Sequence, residues 1–168
     1  FSTELFSQIV PGWRIDKVVS DPTVISTDIL NDNKNTFVTI QNFDAVATTY
    51  ISKIDSAGNV VNSDSIIYSY AICDRRMVND NFGSVYVCGQ KDSAFQRSRI
   101  HLVKFDPLLN RMWSVDAGNT LQSDYYSPRI CYSANEHMIY VISQKSHVNG
   151  SYTVLLKFDT NGNQIWES

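Results

Sequence analysis

Apolar and polar positions along this chain change over in short runs that end at Asn, Asp, Ser and Gly clusters, which predicts strands joined by turns rather than long helices. Three runs align: Tyr50-Ile51-Ser52-Lys53-Ile54-Asp55, His101-Leu102-Val103-Lys104-Phe105-Asp106 and Leu155-Leu156-Lys157-Phe158-Asp159. Their lysines lie 51 and 53 residues apart. A second block precedes each run: Phe37-Val38-Thr39-Ile40-Gln41, Val85-Tyr86-Val87-Cys88-Gly89-Gln90 and Ile139-Tyr140-Val141-Ile142-Ser143-Gln144. An Ile-containing strand and a polar turn come before that, at Val24–Leu30, Ala71–Cys73 and Arg129–Cys131. After each run a tight turn leads into a fourth strand.

The turns have their own chemistry. Ser56-Ala57-Gly58-Asn59 and Thr160-Asn161-Gly162-Asn163 place Gly and Asn where a hairpin needs positive φ. In the middle copy Pro107-Leu108-Leu109-Asn110 takes this place, with Pro presetting the turn and Asn110 expected to stand in for Gly. Nine residues beyond Lys104 and Lys157 come Trp113 and Trp166, while the same offset from Lys53 lands on Asn62. The unit is therefore a four-stranded antiparallel meander of about fifty residues, and such units repeated at this period build β-propellers.

The ending Leu155-Leu156-Lys157-Phe158-Asp159-Thr160-Asn161-Gly162-Asn163-Gln164-Ile165-Trp166 resembles the blade endings of quinoprotein-like and related bacterial-type propeller repeats. The resemblance spans about residues 20 to 168 and implies an all-β fold of three blades, with Trp113 and Trp166 as blade-closing aromatics. The Asp-to-Gly spacing of three is shorter than the quinoprotein pattern, and the first copy lacks the Trp. A partial quinoprotein-like enzyme is accordingly the third reading of function. Pro11-Gly12-Trp13-Arg14-Ile15-Asp16 matches the surroundings of Trp113, so residues 1-16 are expected to hold an outer strand of a preceding or neighbouring blade, with Trp13 its closing aromatic. The divisions that follow are 17-66, 67-118 and 119-168.

Composition agrees with this reading. The 14 Asp and 3 Glu sit among 14 Asn and 20 Ser, residues that favour turns, while Ala and Leu are scarce. A net charge of -3 without a basic stripe excludes a phosphate-tracking nucleic-acid binder. No apolar run reaches the ~20 residues of a membrane-spanning helix. The chain begins at Phe1, as either a processed protein or a segment of a longer one.

Three blades are fewer than the four to eight of a closed propeller. The expectation is thus a fragment of a longer propeller, or copies of the chain that complete a ring, or copies that join end to end into a filament through strand addition.

Candidate chemistry is sparse. Cys73, Cys88 and Cys131 form no zinc pattern and read either as buried thiols or as one disulfide, with Cys73 and Cys88 geometrically possible partners in neighbouring strands. His101, His137 and His147 lack any ligand spacing and read as solvated or strand-surface groups. No nucleophile elbow is present. Asp159–Asn163 superficially suggests a calcium loop, but the strand resumes at once and a hairpin turn is expected. Gln41, Gln90 and Gln144, with Lys53, Lys104 and Lys157, recur at equal blade positions and read as structural, each Lys sharing a strand face with the Asp that caps the next turn. Asn149-Gly150-Ser151 is a glycosylation sequon in a loop of the last unit and points toward an extracellular or secreted protein.

These readings predict no catalytic, cofactor-binding or metal-binding residues. The leading function is a non-enzymatic, self-associating scaffold whose partners are copies of itself. The alternative is a glycan-binding propeller using Tyr125, Tyr126 and Tyr132.

Overall fold

The computed structural model describes residues 24–31, 36–42, 48–67, 76–92, 98–118 and 123–168. Trp13, Cys73 and the expected strand within residues 1-16 lie outside these. The described residues form three four-stranded antiparallel sheets, each a simple meander in chain order. The first comprises β1 (Val24–Asn31), β2 (Thr36–Asn42), β3 (Thr48–Ile54) and β4 (Val60–Ile67). The second comprises β5 (Met77–Asn79), β6 (Val85–Asp92), β7 (Ser98–Phe105) and β8 (Arg111–Ala117). The third comprises β9 (Ser123–Ser133), β10 (Met138–His147), β11 (Gly150–Asp159) and β12 (Gln164–Glu167).

The register of each sheet confirms the repeat. Lys53, Lys104 and Lys157 pair with Phe37, Tyr86 and Tyr140 on one side and with Asn62, Trp113 and Trp166 on the other. A bulge follows each lysine, between Lys53 and Ile54, Lys104 and Phe105, and Lys157 and Phe158. Paired residues of an antiparallel ladder share a face, so in each sheet the lysine, its aromatic partner and the residue nine beyond it lie on one face.

Two apolar clusters join the sheets. Phe37, Ile51 and Ile66 of the first sheet pack with Met77, Val85, Val87, Val103, Phe105 and Leu109 of the second. Tyr86, Cys88, Ile100, Leu102 and Ala117 of the second pack with Tyr125, Ile130, Ile139, Val141, Val154, Leu156 and Phe158 of the third. The second sheet is consequently buried on both faces: Val85–Gln90 of β6 are all buried, and β7 is buried at every position but Arg99 and Lys104. β11 instead alternates buried and exposed positions along its C-terminal half.

Each turn after the third strand is locked by its leading aspartate. Asp159 Oδ1 accepts from the amides of Asn161 and Asn163 at 2.9 Å, and Oδ2 accepts from Asn163 Nδ2 at 2.8 Å. Asp55 and Asp106 make the same bonds to Ala57 and Asn59 and to Leu108 and Asn110. A second site of this type precedes β6, where Asp80 accepts from the Phe82 and Ser84 amides and from the Tyr86 hydroxyl at 3.0 Å. In the turns after the third strands the left-handed residue is Gly58, Leu109 or Gly162, with φ of 87°, 66° and 88°. Leu109, not Asn110, therefore fills the glycine position of the middle turn. Left-handed Leu costs about 1–2 kcal/mol, which is offset by burying its side chain in the cluster with Phe37 and Ile51.

Candidate functional site

The joints between sheets define what the exposed faces are built to do. In the first joint Lys53 Nζ donates to the Pro107 carbonyl at 2.6 Å, and Asn62 Nδ2 donates to the Leu108 carbonyl at 2.9 Å. In the second, Lys104 Nζ and Trp113 Nε1 both donate to the Thr160 carbonyl at 3.3 Å. Pro107 and Thr160 occupy the same turn position. The lysine and the residue nine beyond it thus clamp the turn of the next sheet in both joints.

The two joints differ in how they fill space. A Cβ on Gly162 would lie 3.2 Å from the Trp113 ring, tighter than ordinary contact, and the residue is left-handed at φ 88°, so Trp on one side is matched by Gly on the other. The first joint reverses the sizes, with Asn62 facing a turn whose Leu109 is buried. The absence of Trp from the first copy is therefore one half of a compensated pair. Around the second clamp, Lys104 sits 5.1 Å above the Tyr86 ring and Tyr86 lies 6.0 Å from Trp113. A polar bridge across the first joint adds to it, with Arg111 donating to Asp64 Oδ2 at 2.8 and 2.9 Å.

The third sheet presents the matching positions with nothing among the described residues seated on them. Lys157 lies 5.3 Å from the Tyr140 ring, and Tyr140 meets Trp166 edge-on at 6.2 Å. Ile51 and Leu102 are fully buried, but Leu155 in the same position is 36% exposed. Thr39 and Cys88 are fully buried, but the equivalent Ile142 is 44% exposed. Trp166 is 38% exposed. Cys131, in register with Tyr140, is an exposed thiol on this face. Lys157 Nζ donates to Glu136 at 2.8 Å, as does the Tyr140 hydroxyl, and both bonds hold the Glu136 carboxyl below its ordinary range. This face is the candidate functional site.

Other predicted groups fall elsewhere. His101 is buried, not solvated, with Nδ1 2.5 Å from Asp116 Oδ1. Burial lowers its pKa, outweighing the opposing pull of Asp116. Burial pushes the Asp116 carboxyl up, but bonds to His101 and Lys91 outweigh this and hold it low. His137 is exposed in the turn before β10, 3.0 Å from the Tyr132 hydroxyl, and His147 ends β10. The histidines do not converge.

Tyr125 is fully buried, and its hydroxyl bonds Glu167 at 3.0 Å, so it offers no ring to a sugar. Tyr132 stacks on Tyr86 at 6.1 Å while Tyr126 is exposed, and the three form no common platform. Gln90 is buried against Ser98, whereas Gln144 is exposed, so those positions share no ligand. Cys88 is buried with its sulfur 3.7 Å from the Pro128 carbonyl, and its proposed partner Cys73 is outside the described residues. Asn149 is exposed in the two-residue turn between β10 and β11. Among the described residues no group of three His, Cys, Asp or Glu is placed to hold a metal ion, and no helix is long and apolar enough to cross a membrane.

No protein-family model matches the chain, and no curated protein matches it. Among solved structures it is similar to the subtype N10 neuraminidase-like protein of A/little yellow-shouldered bat/Guatemala, with a TM-score of 0.56 at 14% identity. The likeness covers 83% of this chain and 42% of that one, so the chain spans less than half of its structural neighbour. The fold is of the β-propeller type. The three sheets are its blades, and at this identity the likeness speaks for fold alone. It lends no support to a quinoprotein-like kinship.

Proposed function

We propose that this protein is a non-enzymatic scaffold of propeller blades that works by associating with copies of itself through its end faces, in an extracellular setting. The observation that carries the reading is the outer face of the third blade. It repeats, position for position, a face that is covered twice within the chain, with the Tyr, Leu, Lys and Trp of the second blade recurring as Tyr140, Leu155, Lys157 and Trp166, and it leaves Ile142, Leu155 and Trp166 exposed. Burying an apolar side chain of this size fully contributes about 1.5–3 kcal/mol, so a well-fitted neighbour gains from this patch. The exposed sequon at Asn149 supports the extracellular setting.

Light scattering of the chain over a range of concentrations tests the reading. The mass is expected to rise above the 19.0 kDa of one chain. A constant single-chain mass throughout would overturn it.

A further inference from the structure

Resting on the scaffold reading, we infer that the outer face of the third blade clamps the β3–β4 turn, Asp55–Asn59, of a second copy, and that two copies close a six-blade ring through two such joints. The internal joints define the occupant. Each takes an Asp-led turn, whose second residue offers its carbonyl to the lysine of the preceding blade. Of the three such turns, 106–110 and 159–163 already sit in joints. The first turn has the bonding pattern of the other two, with Ser56 at the carbonyl position.

Size complementarity selects the same turn. In the second joint the Trp of the clamping blade, Trp113, meets Gly at the left-handed turn position, where an added Cβ would crowd the ring at 3.2 Å. Trp166 is such a Trp and Gly58 such a left-handed Gly, whereas the turn bearing Leu109 is met by the shorter Asn62. Ser56 and Ala57 are exposed and Gly58 is only partly covered, while Leu109 and Gly162 are buried. Among the described residues, clamp and turn therefore stand uncovered, one on the third blade and the other on the first. In the joint Lys157 turns from Glu136 to the Ser56 carbonyl of the second copy, and Trp166 Nε1 donates to the same oxygen. The three described blades of each copy make six, within the range of closed propellers.

Sedimentation equilibrium of the whole chain, Gly58→Leu, Trp166→Asn and the double variant tests this joint. The whole chain is expected to give one species of twice the chain mass. Each single substitution should weaken the dimer at least about tenfold, the equivalent of 1.4 kcal/mol. Circular dichroism should show both single variants folded, because Leu is already accepted at the left-handed position of the middle turn. The double variant reproduces the pairing of Asn62 with Leu109 and should recover the dimer. A dimer unmoved by either single variant overturns this joint and leaves the scaffold reading standing. A strict monomer overturns both, and a ladder of larger species overturns the closed ring.

Discussion

The second and third blades have nearly the same pattern of side chains and opposite surroundings. Tyr86, Cys88, Leu102, Lys104 and Trp113 face a neighbour, whereas Tyr140, Ile142, Leu155, Lys157 and Trp166 face outward. What differs is whether a turn arrives from another blade. Equal sequence positions consequently have unequal energetic weight, because a side chain stabilises the fold only through what it is removed from. The outward set is then best understood as a joint kept for association.

The sharpest way to break this comparison is to truncate the same position in both blades. Leu102→Ala is expected to cost about 2–5 kcal/mol of stability, the range for a fully buried leucine. Leu155→Ala should stay within about 0.5 kcal/mol at dilution, as for other surface changes. Urea unfolding of both variants at low protein concentration provides the check, and equal losses would erase the distinction between the blades.

The lysines offer a second contrast. Lys53 is buried, and removing it strands the Pro107 carbonyl without its donor, so Lys53→Met should cost about 1–3 kcal/mol. Lys157 bonds an exposed carboxylate, and Lys157→Met should cost about 0–1 kcal/mol at low concentration. Thermal melts of the two variants would rank them, and reversal of that order would count against the clamp.

A smaller effect separates the blades by pH. Burial holds His101 of the second blade below its ordinary value, so the unfolded chain takes up this proton more readily. Its contribution to stability is complete above about pH 6.5, the unfolded value, and declines as the pH falls below it. The carboxylates of Asp106, Asp116 and Asp159 are held low, which adds a second loss below about pH 4. His101→Gln should remove the first decline and retain the second, as followed by unfolding midpoints across pH. A His101→Gln profile identical to that of the unaltered chain would contradict the assignment.

Much of the architecture was legible because its signals are local. The Lys-to-Asp offset, the Asp-led turns and the alternation of strand residues depend on near neighbours in sequence, and they produced the repeat and the four-stranded sheets, although the second sheet opens with β5 at Met77–Asn79 and the strand expected at Ala71–Cys73 lies outside the described residues. Asn79-Asp80 was readable as a polar turn, and Asp80–Ser84 carries the same Asp-to-Gly spacing of three as 55–59. The remaining differences are non-local. Asn110 looked like the glycine substitute from turn preference alone, but the first blade rewards a buried side chain at 109. Tyr125 looked like a surface group because its burial comes from an adjoining sheet. The candidate face was invisible for the same reason: Leu102 and Leu155 look alike until a blade covers one and leaves the other bare.

Cys131 is an exposed thiol on the outer face of the third blade, in register with Tyr140, and reports on that face without any substitution. The deciding measurement is the rate at which a maleimide labels Cys131 in the unaltered chain, followed by peptide mass spectrometry as protein concentration is raised. Labelling that slows as association sets in is the predicted result. A labelling rate independent of concentration, in samples shown to be associated, would contradict the claim that this face is the joint.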